Sequence, residues 1–440
     1  MNRHMDNYEK EMAAALLSLL SVDSVQGEPT ADAPFGKGTK EALRRFLSLA
    51  SSFGLRTKDL DGYCGYAEIG EGELLGIPFH LDTVPFGEDW SHSPLGEVAK
   101  EGENVVIYGR GAEDDKGPAV AVLYALKSLL DEGRTPRRRV RLIAGLNEES
   151  GWKCIEHYLE KEEIPALSFS PDADFPVIHC EKGVCHLDLT LPLPEEISSF
   201  DGGERVNMVA DRATITVRNL SDAAFSKCLK GGIKVKMTDR GFRLSATGIS
   251  AHGSTPEKGE NAILKILYAV KSSGDFLADL YDAFHLTDGS GLDLSLSDEK
   301  SGALTMNLGK AETKEGKVTF SLDIRYPVTF TEQEILDRIR RAMPQASLAV
   351  PGRHTPLYVA PDSELVTSLL AAYNEVTGES ASPIVIGGAT YARAFPNAVA
   401  FGPVFPGEES RIHQKDECIR KDAFLLSAEI YRAALEKLAF

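Results

Sequence analysis

The chain reads as an α/β protein, with a mixed, mainly parallel sheet flanked by helices and an inserted α+β region. Three observations predict this. Apolar runs of strand length at 74–79, 142–146 and 166–169 each lead into polar residues, the pattern of strands buried on both faces of a parallel sheet. A helix-period run at 118–130 lies between the first two. From 182 to 353 the pattern changes to alternating strands such as 186–191, with two helices following strands, which reads as an inserted second domain.

Residues 8–20 and 39–53 have the spacing of amphipathic helices ahead of the first strands. The run 74–79 then delivers His80. The next helix, 118–130, has Pro118 near its first turn, apolar residues at Val120, Leu123, Leu126 and Leu130, and Gly133 as a stop. Residues 142–146 run into Asn147, Glu148 and Glu149, and 166–169 into Ser170, Pro171 and Asp172. Three groups therefore leave three strands on one edge, where open α/β sheets place their sites. Within 182–353, strand 212–218 leads into a helix at 221–229, and strand 318–325 leads into one at 331–343. The second helix opens on the capping-box pattern Thr331-Glu332-Gln333-Glu334. This echo points to duplication inside the insert. A closing helix is expected at 425–438, so one domain comprises 1–181 and 354–440 and the inserted one 182–353.

The chemistry-bearing residues occur in the order His80 and Asp82, Asp114, Glu148 and Glu149, Asp172, and far downstream His413. Each has a plainer reading alone: His-x-Asp as a turn pair, paired glutamates as a solvated loop, Asp114-Asp115-Lys116-Gly117 as a turn and helix cap. Together they supply what a pair of divalent cations needs, namely imidazoles and carboxylates converging from several segments, with one carboxylate to spare for a proton.

The run Gly109-Arg110-Gly111-Ala112-Glu113-Asp114-Asp115-Lys116-Gly117-Pro118, with Asn147-Glu148-Glu149 and the segment 168–174, resembles the co-catalytic zinc metallopeptidases that include aminoacylases and glutamate carboxypeptidases. Within them it is most similar to bacterial dipeptidases of the PepV type, the carnosinase-like or Xaa-His branch. Segments 205–209, 250–254, 387–393 and 405–414 carry the likeness over nearly the whole chain. The resemblance implies that His80 and Asp172 hold one metal, that Glu149 and His413 hold the other, and that Asp114 bridges both, across a cis Asp114–Asp115 bond. It makes Glu148 the base for a metal-bridging water. Asp82 would accept the second ring N–H of His80 and so fix its tautomer. From the insert, a two-lobed lid whose second lobe takes the place of a dimer partner, His252 would stabilise the oxyanion. Asn207 and Arg325 would bind the substrate's terminal carboxylate, and Gly388 would let the backbone approach it closely. The implied activity is hydrolysis of dipeptides with a free amino terminus by a monomer. An N-acyl-amino-acid deacylase or carboxypeptidase on the same centre is the alternative. Mixed imidazole and carboxylate ligation suits zinc, with manganese or cobalt also open.

The balance of 48 basic against 66 acidic residues, a net charge of −18, argues against nucleic-acid or anionic-membrane partners and leaves a small peptide as the expected one. Six cysteines without zinc-finger spacing read as reduced thiols of a cytoplasmic protein. The apolar stretch 17–22 is too short for a signal peptide or a membrane span. Two other classes fit the motifs less well: a peptide-binding module has no need of a spare base, and a two-metal phosphoesterase fits the acidic balance poorly.

Overall fold

The computed structural model describes residues 4–440 and divides into two compact units. The first comprises Met1–His179, Val359–Ile384 and Thr390–Phe440. The second comprises Cys180–Tyr358 and Val385–Ala389. The last five residues belong to the stretch that sequence reasoning places whole in the first domain, so the second unit takes in Gly387 and Gly388.

In the first unit, four strands form a parallel centre in the order Arg139–Gly145, Leu74–His80, Leu167–Ser170, Ala398–Ala400. Cys64–Ile69 and Arg56–Leu60 extend it antiparallel beside Arg139–Gly145. Every residue of Leu74–His80 is buried, which is why that strand reads as an unbroken apolar run. The helix Lys116–Asp131 is buried almost all round, and the closing helix Lys421–Ala439 packs against it and against Glu364–Thr377. Because neighbouring central strands are parallel, with His80 opposite Gly145, their carboxyl ends share one edge. The helices at the amino end run Glu9–Leu20 and Lys37–Ser52. Sequence reasoning identifies neither Lys153–Lys161 nor Glu364–Thr377 as helical.

The second unit is built on one eight-stranded antiparallel sheet. Its two halves have the same plan. In one, Arg212–Val217 leads through the helix Asp222–Lys230 to the edge strand Lys234–Thr238. In the other, Lys317–Tyr326 leads through Glu332–Ala342 to the edge strand Ser347–His354. The strand beside each edge is Gly241–Thr247 in the first half and Gly183–Pro192 in the second, one following its helix in the chain and the other preceding it. The halves meet at the inner strands Ile197–Gly202 and Thr305–Lys314, paired at Gly202 and Ala311. Thr331 and Glu334 make the full capping box. Two further helices, Ala262–Val270 and Asp275–Phe284, lie outside the strand-helix echo; their apolar faces join the inward residues of the strands in one core that includes Leu187, Ile215, Ile266, Phe284, Phe320 and Ile339.

All six cysteines are free. No helix among the described residues is long and apolar enough to cross a membrane.

Candidate active site

His80 is the last residue of a central strand and is 1 % exposed. Its Nε2 lies 2.8 Å from Asp114 Oδ1 and 4.0 Å from Asp172 Oδ1. Asp172 follows the strand Leu167–Ser170 and Asp114 precedes the helix Lys116–Asp131, so three segments converge at one point. The Asp114–Asp115 peptide bond is cis. The helix start packs closely on this loop, since a β-carbon at Gly117 would lie 2.1 Å from the Ala112 carbonyl oxygen, which only glycine tolerates.

The other oxygen of Asp114 serves a second group. His413 Nε2 lies 3.1 Å from Asp114 Oδ2 and 3.0 Å from Glu149 Oε1. His80, Asp114 and Asp172 thus form one set of metal-capable donors, and Asp114, Glu149 and His413 another, each within 4.8 Å, with Asp114 common to both. The donor set suits hard or borderline dications: imidazole nitrogen and carboxylate oxygen, with no thiolate. The acids of the cluster also outnumber its imidazoles, so added positive charge is what it lacks.

The titration behaviour of the cluster has the same origin. Burial opposes a charge on His80, but Asp114, Asp172 and Asp82 together outweigh it and hold its pKa well above the ordinary value. Asp172 is pushed well up by burial and by Asp114 and Asp115. Asp114, though buried, is held below the usual carboxylate range by His80 and His413. Hydrogen bonds to Asp114 and Glu149 raise His413 to about 10. Burial, reinforced by Glu149 and Asp114, lifts Glu148 to about 7.

Glu148 belongs to neither donor set. Its Oε1 accepts a hydrogen bond from Trp152 Nε1 at 3.0 Å, and Trp152 has φ 64°, unusual for so large a side chain. Asp82 differs from expectation. The His80 Nδ1 position faces the Asp82 main-chain oxygen at 3.0 Å, while the Asp82 carboxylate is 3.6 Å away. That carboxylate instead accepts the backbone N–H of Glu148 at 3.1 Å and of Glu149 at 3.2 Å. It therefore positions the glutamate turn, because two backbone donors aimed at a buried carboxylate satisfy it better than one longer contact.

Sequence reasoning overlooks several partners. Asp115 Oδ2 accepts from His80 N at 3.2 Å, and the Tyr391 ring meets the His80 ring edge-on at 6.4 Å. Buried Glu417 accepts the backbone N–H of Asp114 at 3.2 Å. Glu417 lies four positions after His413. That spacing was the available signal.

The remaining candidates lie together in the second unit. Asn207 O accepts from Gly253 N at 2.7 Å, and Met208 pairs with His252 in an isolated antiparallel bridge. A β-carbon at Gly253 would sit 2.4 Å from Asp323 Oδ2, so the His252 loop rests directly on Asp323. Arg325 meets a carboxylate of its own chain: Nε and Nη2 donate to Asp323 at 2.7 and 2.8 Å, and Nη1 donates to Gly387 O at 2.9 Å. Burial and the Arg325 charge lower the pKa of His252, whose Nδ1 is 2.7 Å from Ser254 Oγ. Gly388 adjoins this carbonyl, with room for a β-carbon 3.4 Å from Ile386 Cδ1.

Comparison with known proteins follows the same lines. The model of "Peptidase family M20/M25/M40" matches residues 76–437. A Bacillus subtilis (strain 168) protein named "Putative dipeptidase YtjP" is 37 % identical over 445 residues, covering 96 % of this chain and 95 % of the relative. A Staphylococcus epidermidis protein named "Putative dipeptidase" is 35 % identical over 464 residues, covering 98 % and 97 %. The crystal structure of human carnosine dipeptidase 1 matches with a TM-score of 0.60 at 14 % identity, over 99 % of this chain and 97 % of that one. Aminoacylhistidine dipeptidase from Vibrio alginolyticus matches at 0.58 and 13 %, over 96 % of each. At such identities the two structures speak for the fold alone.

Proposed function

The chain belongs to peptidase family M20/M25/M40 and is a hydrolase, and from that premise we propose that it is a metal-dependent dipeptidase acting on dipeptides with a free amino terminus. One observation carries the reading: the two oxygens of Asp114 serve two separate donor sets, while Glu148 stands beside them outside both. The names of the relatives, both dipeptidases, support the substrate class.

His80, Asp114 and Asp172 would hold one divalent cation and Asp114, Glu149 and His413 the other, most simply zinc, with manganese or cobalt as alternatives. When bound, the pair supplies Lewis acidity and eases deprotonation of water. Glu148 takes the proton of the attacking water and returns it to the departing amine. The Trp152 N–H holds one of its carboxylate oxygens and leaves the other for the proton. Asp82 keeps Glu148 and Glu149 in place through their backbone N–H groups. In the second unit His252 serves as the oxyanion donor, and Asn207, Arg325 and Gly388 meet the substrate's carboxyl end. The protein acts as a cytoplasmic monomer on small peptides, with its thiols reduced.

The test is a dipeptide-library assay on metal-stripped protein restored in turn with zinc, manganese and cobalt. Restored cleavage of free dipeptides, with none of their N-acylated analogues, is expected. Release from N-acylated substrates alone would move the chain to the deacylases or carboxypeptidases, and turnover of a simple phosphate ester would move it to the phosphoesterases.

A further inference from the structure

We propose that Glu417 is a positioning residue of the metal centre, setting the spacing of the three segments that carry His80, Asp114 and His413; this rests on the ligand assignment above. Glu417 is fully buried and each of its oxygens meets only donors. Oε1 accepts three backbone N–H groups, from Gly111 at 2.9 Å, Glu113 at 3.1 Å and Asp114 at 3.2 Å. Oε2 accepts Arg110 Nη1 at 2.6 Å, and the Glu417 main-chain oxygen accepts Gly109 N at 3.0 Å. A single residue, through its carboxylate and its main-chain oxygen, thus gathers the turn 109–114 that presents the shared carboxylate. Successive N–H groups converging on one oxygen form an anion-holding concavity, here filled by the protein's own glutamate.

Arg110 carries the link onward. Its Nη2 donates to Phe86 O at 3.1 Å, and its guanidinium lies 5.2 Å from the centroid of Trp90, so the stretch after His80 and Asp82 is tied to the same hub. The neighbouring Asp416 adds a second tie, its Oδ1 accepting Ser91 N at 2.8 Å and His92 N at 3.2 Å. His413 and Asp416 both have left-handed backbone angles, φ 62° and 56°, in a segment without glycine. Such conformations persist only where the surroundings over-determine them, and Glu417 and Asp416 provide that constraint within four residues of a proposed ligand.

Glutamine is the informative replacement. It has the size of glutamate, but its amide can turn its oxygen to only one side, so either the three N–H groups or the guanidinium would face an NH2. Partners that orient metal ligands typically contribute about 10- to 100-fold in metal affinity. The experiment is calorimetric zinc titration of the metal-stripped full chain, paired with its urea midpoint, for wild type, Glu417→Gln, His413→Ala and Glu68→Gln. Glu68 makes a buried pair with Arg141, at 2.9 Å, in the same unit; Glu68 lies on a strand that carries no proposed ligand, and Arg141 near the start of the strand that leads to Glu149, eight positions before it.

The expected result is that Glu417→Gln lowers zinc affinity about 10- to 100-fold, whereas Glu68→Gln lowers the urea midpoint without changing affinity. Wild-type affinity in Glu417→Gln overturns the proposal and leaves a structural ion pair. Equal affinity losses in Glu417→Gln and Glu68→Gln overturn it too, since any loss of stability would then suffice. If Glu417→Gln does not fold, Arg110→Lys keeps the charge but cannot reach both Glu417 and Phe86; an affinity drop of about 10-fold, the low end for such partners, supports the proposal and an unchanged affinity overturns it. Failure of the ligand assignment looks different, because wild type would then bind no zinc or His413→Ala would bind it as wild type does.

Discussion

The first unit crowds Asp82, Asp114, Asp115, Glu148, Glu149 and Asp172 around His80 and His413, and burial together with the mutual repulsion of the acids raises the pKa values of Asp172 and Glu148. The second unit also gathers ionisable residues, Asp323, Arg325 and His252, but there the guanidinium and carboxylate already satisfy each other at 2.7 and 2.8 Å. One cluster is short of positive charge and the other is neutral within itself. The difference teaches that residue type alone marks a site of the first kind, whereas in the second kind pairing decides what each residue is free to do.

The largest expected effect probes the acid-rich cluster. Glu148→Gln should lower turnover by about 10²- to 10⁴-fold, the range for a general base, with two cations still bound by metal analysis. Loss of the cations would instead make Glu148 a ligand. His252→Ala carries the same question to the other cluster: kcat should fall by about 10²- to 10³-fold with the metal content unchanged. A near-normal kcat on several good dipeptides would return His252 to the status of a loop histidine.

The paired cluster has its own signature in stability. Arg325→Ala strands the buried Asp323 carboxylate, so it should destabilise by about 3–5 kcal/mol. Asp323→Asn combined with Arg325→Gln should recover most of that in urea denaturation. If single and double variants unfold at the same midpoint, the pair is not neutral within itself and the contrast between the units fails. Because of this coupling, a rise in KM is better read from the double variant than from Arg325→Ala.

The smallest effect is one of protons. His413 in the cation-free protein titrates near 10 against an ordinary 6.5, chiefly through its bonds to Asp114 and Glu149. The sign follows for a base raised by its partners: its contribution to stability is complete below 6.5 and is lost as pH rises through about 10. A cation needs the neutral imidazole, so its uptake near pH 8 should release about one proton from His413. Calorimetry in buffers of different ionisation enthalpy would detect this, and release unaltered in His413→Ala would assign the proton elsewhere.

Much of the first unit was legible because its signals are local. Leu74–His80 is apolar throughout since both faces are covered, and parallel pairing then forces His80, the Glu148 turn and Asp172 to one edge. Resemblance of motifs, rather than spacing, ordered those residues and the distant His413 into two metal groups. The strand-helix echo of the second unit was likewise visible, down to the Thr331 capping box. Ala262–Val270 and Asp275–Phe284 escaped notice because neither belongs to that echo.

By itself, then, the sequence determined the α/β class, the inserted strand-helix region and the residue types of the site, since these follow from hydrophobic period and from which side chains can bind a cation. Only the tertiary structure decided the partners. It turned the Asp82 carboxylate toward the backbone of Glu148 and Glu149, paired Arg325 with Asp323, and brought Glu417 beneath Asp114. A hydrogen bond depends on angstrom-scale distances between groups far apart in the chain, and neither periodicity nor composition carries that information.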